Sequence, residues 1–556
     1  MVQFKRIIYG SVRTNNQSED TKGMVQFKRI IKVTTLTITS FVLAVVVSIA
    51  GGVSWPLAEA PGPASIAPLL LDNVSIVDVE TGQINPHQAV WIDNGRISKI
   101  TASDRTVIDK NTAMRTELMA DGRLKIHTAG RFLMPGLADM HTHSLKTSPQ
   151  LHHPLWIAAG VTTVRDLSGC MLGTDSFQAC TADRKDWQQQ MLAGQRTSPN
   201  YWQHSSYQLN GGAEVPADFP AFFKLQSAAD AKALVAHYQQ QGSDFIKVYE
   251  KLSVEQYQWL TVAARDAEMQ LAGHQPWLVP FSQMLEANQR SVEHGRVFIF
   301  ECADAIKAHK QQPLSQSFQP QQWRELLQSQ NPELCQQLMQ QMALSNTWWS
   351  PTLLTLQLGA KADDPAFRQD SRLKFEPYLM QILWQGDADA MLEKAYDNKG
   401  LNVHTELLLL AQQQLKQAHQ AGVKILAGTD TPDSFVFAGS GLHDELALYQ
   451  QAGLTPLEAI QTATINPAIF AGIASETGSV AEGKTADLVL LNSDPLLDLA
   501  TMRHPEAVIL AGHWYPKASL QQLQLFAEDQ AGSFRLNLHL LWNALMSAPV
   551  RQQFAD

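Results

Sequence analysis

The chain has 556 residues, a net charge of −10 and 45% hydrophobic residues. That length exceeds one ordinary domain and allows a large barrel beside a second core. The acidic balance, with a pI near 5.9, argues against a nucleic-acid-binding surface, and the hydrophobic share is that of a folded globular protein.

The N-terminus repeats itself. Met1-Val2-Gln3-Phe4-Lys5-Arg6-Ile7-Ile8 recurs at 24–31. A local duplication with Met24 as the original start accounts for this, since nothing else repeats. Lys28, Arg29 and Lys32 then precede an apolar stretch over 36–53, the charged and hydrophobic regions of an export signal. Ala58-Glu59-Ala60 offers a small-x-small cleavage site, although Pro61 follows it directly. The stretch is also nearly long enough to cross a bilayer, with positive charge on its N-terminal side. Residues 1–60 therefore read as a duplicated N-terminus carrying a signal or anchor. The body is expected to be exported, periplasmic or secreted, with cleavage preferred over anchoring. Membrane contact is expected only through this segment.

From 69 to 132 the pattern is short strands, with a hairpin at 90–100 around Asn94-Gly95. Strands return at 486–491 and 507–510. Neither set can bury a face alone. One small β-sandwich built from both chain ends, 61–133 with 480–520, is the economical arrangement. The middle, 134–479, alternates short apolar runs with helical patterns, which predicts a TIM-like (β/α)8 barrel. Its strands are expected at 137–143, 161–166, 201–208, 245–249, 270–274, 291–294, 347–351 and 423–430. The stretch 353–421 reads as a helical insertion over the mouth of the barrel, and 305–341 as a second helical elaboration. Residues 521–556 form a helical extension in which Phe534, Leu538, Leu541 and Leu545 fall at helical spacing. That stripe is expected to pack on the body, with a membrane-surface helix as the alternative.

Four cysteines occur without a CxxC, so no structural zinc knuckle is expected. Cys170 and Cys180 read equally well as a short disulfide or as two thiols, and Cys302 and Cys335 as buried thiols.

The chemistry concentrates at strand ends, where parallel barrels place their catalytic groups. His141 and His143 stand two residues apart after Met134-Pro135-Gly136, so one strand face carries both imidazoles. Lys247, His274, His294 and Asp430 sit at the ends of four more expected strands. Each alone has an ordinary reading: a satisfied histidine, a helix cap for Asp430, an ion pair for Lys247. Their coincidence on one rim favours a metal site.

The motifs PGLADMHTH (135–143), GVTTVRD (160–166), FIKVY (245–249), LAGH (271–274), VEHG (292–295), LAGTD (426–430) and ATINPA (463–468) resemble the amidohydrolase superfamily. Within it, they are similar to the imidazolonepropionase-like and Xaa-Pro dipeptidase (prolidase)-like branch. The resemblance implies that His141, His143 and Asp430 bind one divalent ion and that His274 and His294 bind a second. It implies Lys247, carboxylated by carbon dioxide, as the bridge. Zinc suits this histidine-rich set. Asp430 would also act as the proton acceptor and donor. Tyr249, two residues past Lys247, either hydrogen-bonds the substrate carbonyl or packs. The implied activity is hydrolysis of a C–N amide bond by a metal-activated hydroxide, on a dipeptide of Xaa-Pro type or a small cyclic amide. A mononuclear deaminase-like enzyme and a non-catalytic binding protein on the same scaffold are the alternatives. Lys247 argues against the first, and the full polar set against the second. A homo-oligomer stays open.

Overall fold

The computed structural model describes residues 55–104, 114–212, 215–311 and 318–553. The duplication and the apolar signal or anchor stretch lie outside the described residues. The chain divides after Pro56, and every element below belongs to the unit from Leu57 onward.

The first strands are β1 (Leu69–Val77), buried along its whole length, β2 (Ile84–Asp93) and β3 (Arg96–Ala102). The β2–β3 turn is the expected Asn94-Gly95 pair, with φ of 50° and 74°, the left-handed pair a type I′ hairpin requires. β4 (Arg115–Leu118), β5 (Leu124–His127) and β6 (Phe132–Pro135) follow. The chain returns to them 350 residues later with β14 (Leu488–Leu491), β15 (Ala507–Leu510) and β16 (His513–Pro516). β14 pairs antiparallel with β6, Leu490 opposite Leu133. The result is one nine-stranded sheet ordered β16-β15-β14-β6-β1-β2-β3, with β5 also paired to β1 and β4 to β5. Val74, Ile76, Leu488 and Leu490 share a core. The two β-rich segments thus pair in a single branched hydrogen-bonded sheet.

Between them, β7 (Leu137–Thr142), β8 (Val161–Asp166), β9 (Asn200–Tyr201), β10 (Phe245–Val248), β11 (Gln270–Gly273), β12 (Ser291–Glu293) and β13 (Trp348–Ser350) are parallel. Isolated parallel bridges carry the ring across its gaps, Ser205 to Phe245 and Leu209 to Val248. The eighth segment is not a ladder strand. It joins β13 by the Trp349–Ile425 bridge and β7 by the Thr142–Thr431 bridge, backed by the Met140 N–H donating to Ala427 O at 2.9 Å. The ring is TIM-barrel-like. Gly428 marks a close approach: a Cβ there would lie 2.5 Å from Ser350 Oγ and 2.7 Å from His141 Cβ. The segment nonetheless hydrogen-bonds to both neighbours, Leu426 N–H donating to Trp349 O and Asp430 N–H to His141 O.

Helices cover the rim. The insertion contributes Leu354–Lys361, Tyr378–Glu393 and Val403–Gln420, and the earlier elaboration contributes Pro320–Gln328 and Pro332–Leu344. Arg324 joins the two, donating to Asp397 at 2.8 Å and to Glu406 at 2.6 and 2.9 Å.

Two expectations are corrected. Cys302 and Cys335 are not thiols but a disulfide, and Cys170–Cys180 is bonded as well. Sequence cannot pair cysteines 33 residues apart; the packing of helix Pro332–Leu344 against the rim does so. The C-terminal helix Phe534–Met546 does pack on the body, but through Leu536 and Leu540. The expected stripe turns outward, with Phe534 82% and Leu545 55% exposed. The helix is apolar on several faces, so spacing alone could not choose between them.

Candidate metal centre

Strand geometry delivers the first two imidazoles as expected. His141 Nε2 and His143 Nε2 lie 3.3 Å apart. Asp430 Oδ1 closes the triangle at 3.1 Å from His141 Nε2 and 2.8 Å from His143 Nε2. Bonds of about 2.0–2.1 Å at tetrahedral angles set ligand atoms roughly 3.3 Å apart around zinc, so the triangle has the edge lengths of a coordination shell. His294 faces the same point: its ring is 5.0 Å from that of His141 and 4.5 Å from that of His274. His141, His294 and Asp430 each present a ligand atom within 4.8 Å of the others. Lys247 on β10 is 1% exposed and is close enough to feel Asp430 and Glu293 electrostatically. The Tyr249 ring packs against that of His274 at 4.2 Å and lines the adjoining cavity.

Second partners orient these ligands, and sequence reasoning did not assign them. His141 Nδ1 is 3.1 Å from Glu293 Oε2. Glu293 is held in turn by Arg165 and Ser291. A carboxylate on the far nitrogen fixes which nitrogen faces a metal. His294 Nδ1 shares a hydrogen bond with Thr352 Oγ1 at 2.8 Å. Asp139 accepts from Thr429 N and Thr429 Oγ1 at 3.0 and 2.7 Å, tying the first strand to the eighth segment beneath the ligands. The signals were present: Glu293 directly precedes His294, and Asp139 is two residues before His141 on the same strand face.

Burial and the buried carboxylates pull the ionisable groups of the site in opposite directions. Burial opposes a charged His141, yet Asp430 and Glu293 hold it up to about 9. Burial works likewise against Asp430, but His141 and His143 keep its carboxyl well below the usual range. Burial pushes His274 and His294 down, the latter to about 3, which leaves both neutral as ligands must be. His274 Nδ1 is buried with no hydrogen-bond partner among the described residues, an orphan that a cation would satisfy. Burial also pushes the Lys247 amine down to about 8, towards the neutral form that reacts with carbon dioxide. His294 and Asp430 sit at φ of 75° and 71°, left-handed conformations that cost such residues about 1–3 kcal/mol and gather at functional sites. The residues fit a divalent metal centre.

A cavity of about 820 Å³ opens from this centre. Its wall includes Thr355, Met391 and His404 of the insertion and Phe318 and Trp323 of the earlier elaboration, so both covers reach the site.

The model of the amidohydrolase family matches residues 389–515. The ochratoxinase of Aspergillus niger is 38% identical over 107 residues, 18% of this chain and 22% of that protein. The match thus spans about a fifth of the curated relative. Among solved structures, a bottromycin amidohydrolase superposes with a TM-score of 0.62 at 20% identity, covering 84% of this chain and 91% of its own. A putative prolidase from Bifidobacterium longum gives 0.55 at 24% identity, covering 84% and 100%. These two share the fold.

Proposed function

We infer that this chain, which belongs with the amidohydrolase superfamily, is a metal-dependent hydrolase of C–N amide bonds in the prolidase-like branch. The convergence of His141, His143, His294 and Asp430 on one point carries the reading, with His274 and Lys247 buried beside them. His141, His143 and Asp430 would hold one ion, His274 and His294 a second, and a carboxylated Lys247 would bridge them, zinc being the metal that suits the donors. Bound there, the ions supply a water acidic enough to ionise at neutral pH and a polarised carbonyl.

The protein's own residues do the rest. Asp430 takes the proton from the attacking water and passes it to the leaving nitrogen. Glu293 keeps His141 in one tautomer. Tyr249, at the cavity edge, orients the substrate carbonyl. Overall, oxygen adds to the carbonyl carbon, the C–N bond breaks and the nitrogen leaves protonated. Candidate substrates are dipeptides, Xaa-Pro among them, small cyclic amides and, following the Aspergillus relative, an ochratoxin. The barrel with its helical covers acts as the catalytic domain and the two-ended sheet as its support. Two disulfides favour an oxidising compartment, which supports export.

The test is a screen of those substrates on purified protein supplied with zinc and bicarbonate, with metal counted by elemental analysis. Two ions per chain and turnover of an amide support the reading. One ion with deamination favours a mononuclear deaminase, and neither metal nor turnover overturns it.

A further inference from the structure

We propose that the outward face of the C-terminal helix Phe534–Met546 rests on the surface of a lipid bilayer. Where the apolar 36–53 stretch stays in place, this is a second membrane contact of the chain. Where that stretch is cut off, it is the remaining one.

The helix has two apolar sides. Leu536 and Leu540 face the body and are buried. Phe534, Leu541, Trp542, Leu545 and Met546 are 42% to 82% exposed. With the half-buried Leu538, positions 534, 538, 541, 542 and 545 follow helical spacing and form one outward stripe. Tyr378 and Ile382 are also exposed, on the helix Tyr378–Glu393 that contacts this one. Apolar patches of this kind mark contact with a protein or a membrane. A helix of 13 residues is about 20 Å long, too short to span a bilayer. It is long enough to lie in the headgroup layer with one apolar side down. Trp542 is the residue type that settles at that depth.

Two observations choose the bilayer. The first is where the chain enters the body. Leu57 packs with Leu151, Ala531 and Leu536, at the first turn of this helix, and Ala58 O accepts from Gln150 Nε2 at 3.0 Å. Leu57 follows the apolar stretch by four residues, which span at most about 14 Å. A bilayer that holds the stretch is thus within reach of the helix. The second is charge. From Gln530 to Ala555 the sequence has no Asp or Glu, and Arg535 and Arg551 make the segment positive in a chain of net charge −10. The acids folded near it are engaged: Glu528 with Lys374, Asp529 with Gln530 and Asp175 with Ser547. Anionic headgroups attract an apolar strip edged by cations. A second copy of the chain would set two positive strips against each other.

The experiment places the full chain in vesicles of phosphatidylcholine and phosphatidylglycerol, with and without bromine on the acyl chains. Emission of the native chain minus that of Trp542→Phe isolates Trp542 among the 13 tryptophans. Bromine quenches on contact, so the Trp542 share should fall several-fold in the brominated vesicles. Leu541→Gln combined with Leu545→Gln should abolish that quenching. Both side chains are exposed, so this variant should keep the native Tm and metal content. Equal Trp542 emission in the two kinds of vesicle overturns the proposal. Dimers that vanish in the double variant, seen together with equal emission, give the face to a second copy instead. Quenching that persists in the double variant also overturns the proposal, because the apolar stretch alone then brings Trp542 near lipid.

Discussion

At the barrel rim, the ligand-type side chains come from strand ends, most of them are buried, and their atoms sit 2.8–3.3 Å apart where they meet. Across the cavity the wall is made of helices from two insertions, held by the Arg324 ion pairs and by the Cys302–Cys335 bond. The rim is positioned by main-chain hydrogen bonding that runs round the ring, so its geometry resists change. The cover shares an apolar core with the barrel, Leu356, Leu407 and Trp323 packing with Val292 and Trp349, but supplies none of the ligand-type side chains, so its cavity-facing residues can differ while the ligands stay. One scaffold can thereby keep a reaction while exchanging what it acts upon.

Substitutions should separate the two regions. Lys247→Ala should have the largest effect, losing most bound metal at one or both positions and activity by several orders of magnitude. Lys247→Glu should recover part of both, because a carboxylate imitates the anionic bridge with a shorter reach. Two metals per chain and near-native turnover in Lys247→Ala would make it a mere ion-pair partner, worth under about 1 kcal/mol.

In the cover, replacing Cys302 and Cys335 by serine opens a loop of 33 residues. Loop-closure entropy puts the loss at about 3–4 kcal/mol of stability. Denaturant titration should show it, while metal content at 25 °C stays that of the native protein. Loss of metal in that variant would show that cover and rim are coupled.

Glu293→Gln keeps the shape at His141 but weakens its backing, which typically costs 10–100-fold in metal affinity. Competition with a chelator reads this directly, and unchanged affinity would remove Glu293 from the site.

Smallest is Glu376→Gln, within the insertion. Burial pushes the Glu376 carboxyl from 4.5 up to about 8. The folded state then holds this proton more tightly than the unfolded one. Its contribution is full below about pH 4.5 and is lost as pH rises towards about 8. The glutamine variant should match the native Tm near pH 4 and exceed it at pH 8 by about 1 °C for each kcal/mol that the buried carboxylate costs in a chain of this size. A difference that grows at low pH would reverse the sign and refute the burial argument.

The rim was legible in sequence because its geometry is local. Two residues along a strand put His141 and His143 on one face, and Asp430 needed only a strand end. What sits behind the ligands was not legible, because Glu293 reaches His141 from another strand, 152 residues away. The eighth barrel segment lies where the chain pattern put it but joins its neighbours through isolated bridges rather than a ladder. The cover was anticipated as helical and over the mouth. Its disulfide and the outward face of Phe534–Met546 depend on tertiary packing, which spacing does not encode.

The pairing of β14 with β6 sets an order of events during synthesis. Leu133 leaves the ribosome some 350 residues before its partner Leu490 exists. At roughly 5–20 residues per second that is a wait of roughly 20–70 s. Throughout it, the side of β6 that will face β14 has no neighbour, and an unpaired edge is a template for wrong partners. The nascent chain must be shielded until Leu488–Leu491 emerges, and a stop codon anywhere before Leu488 leaves that edge open for the life of the protein.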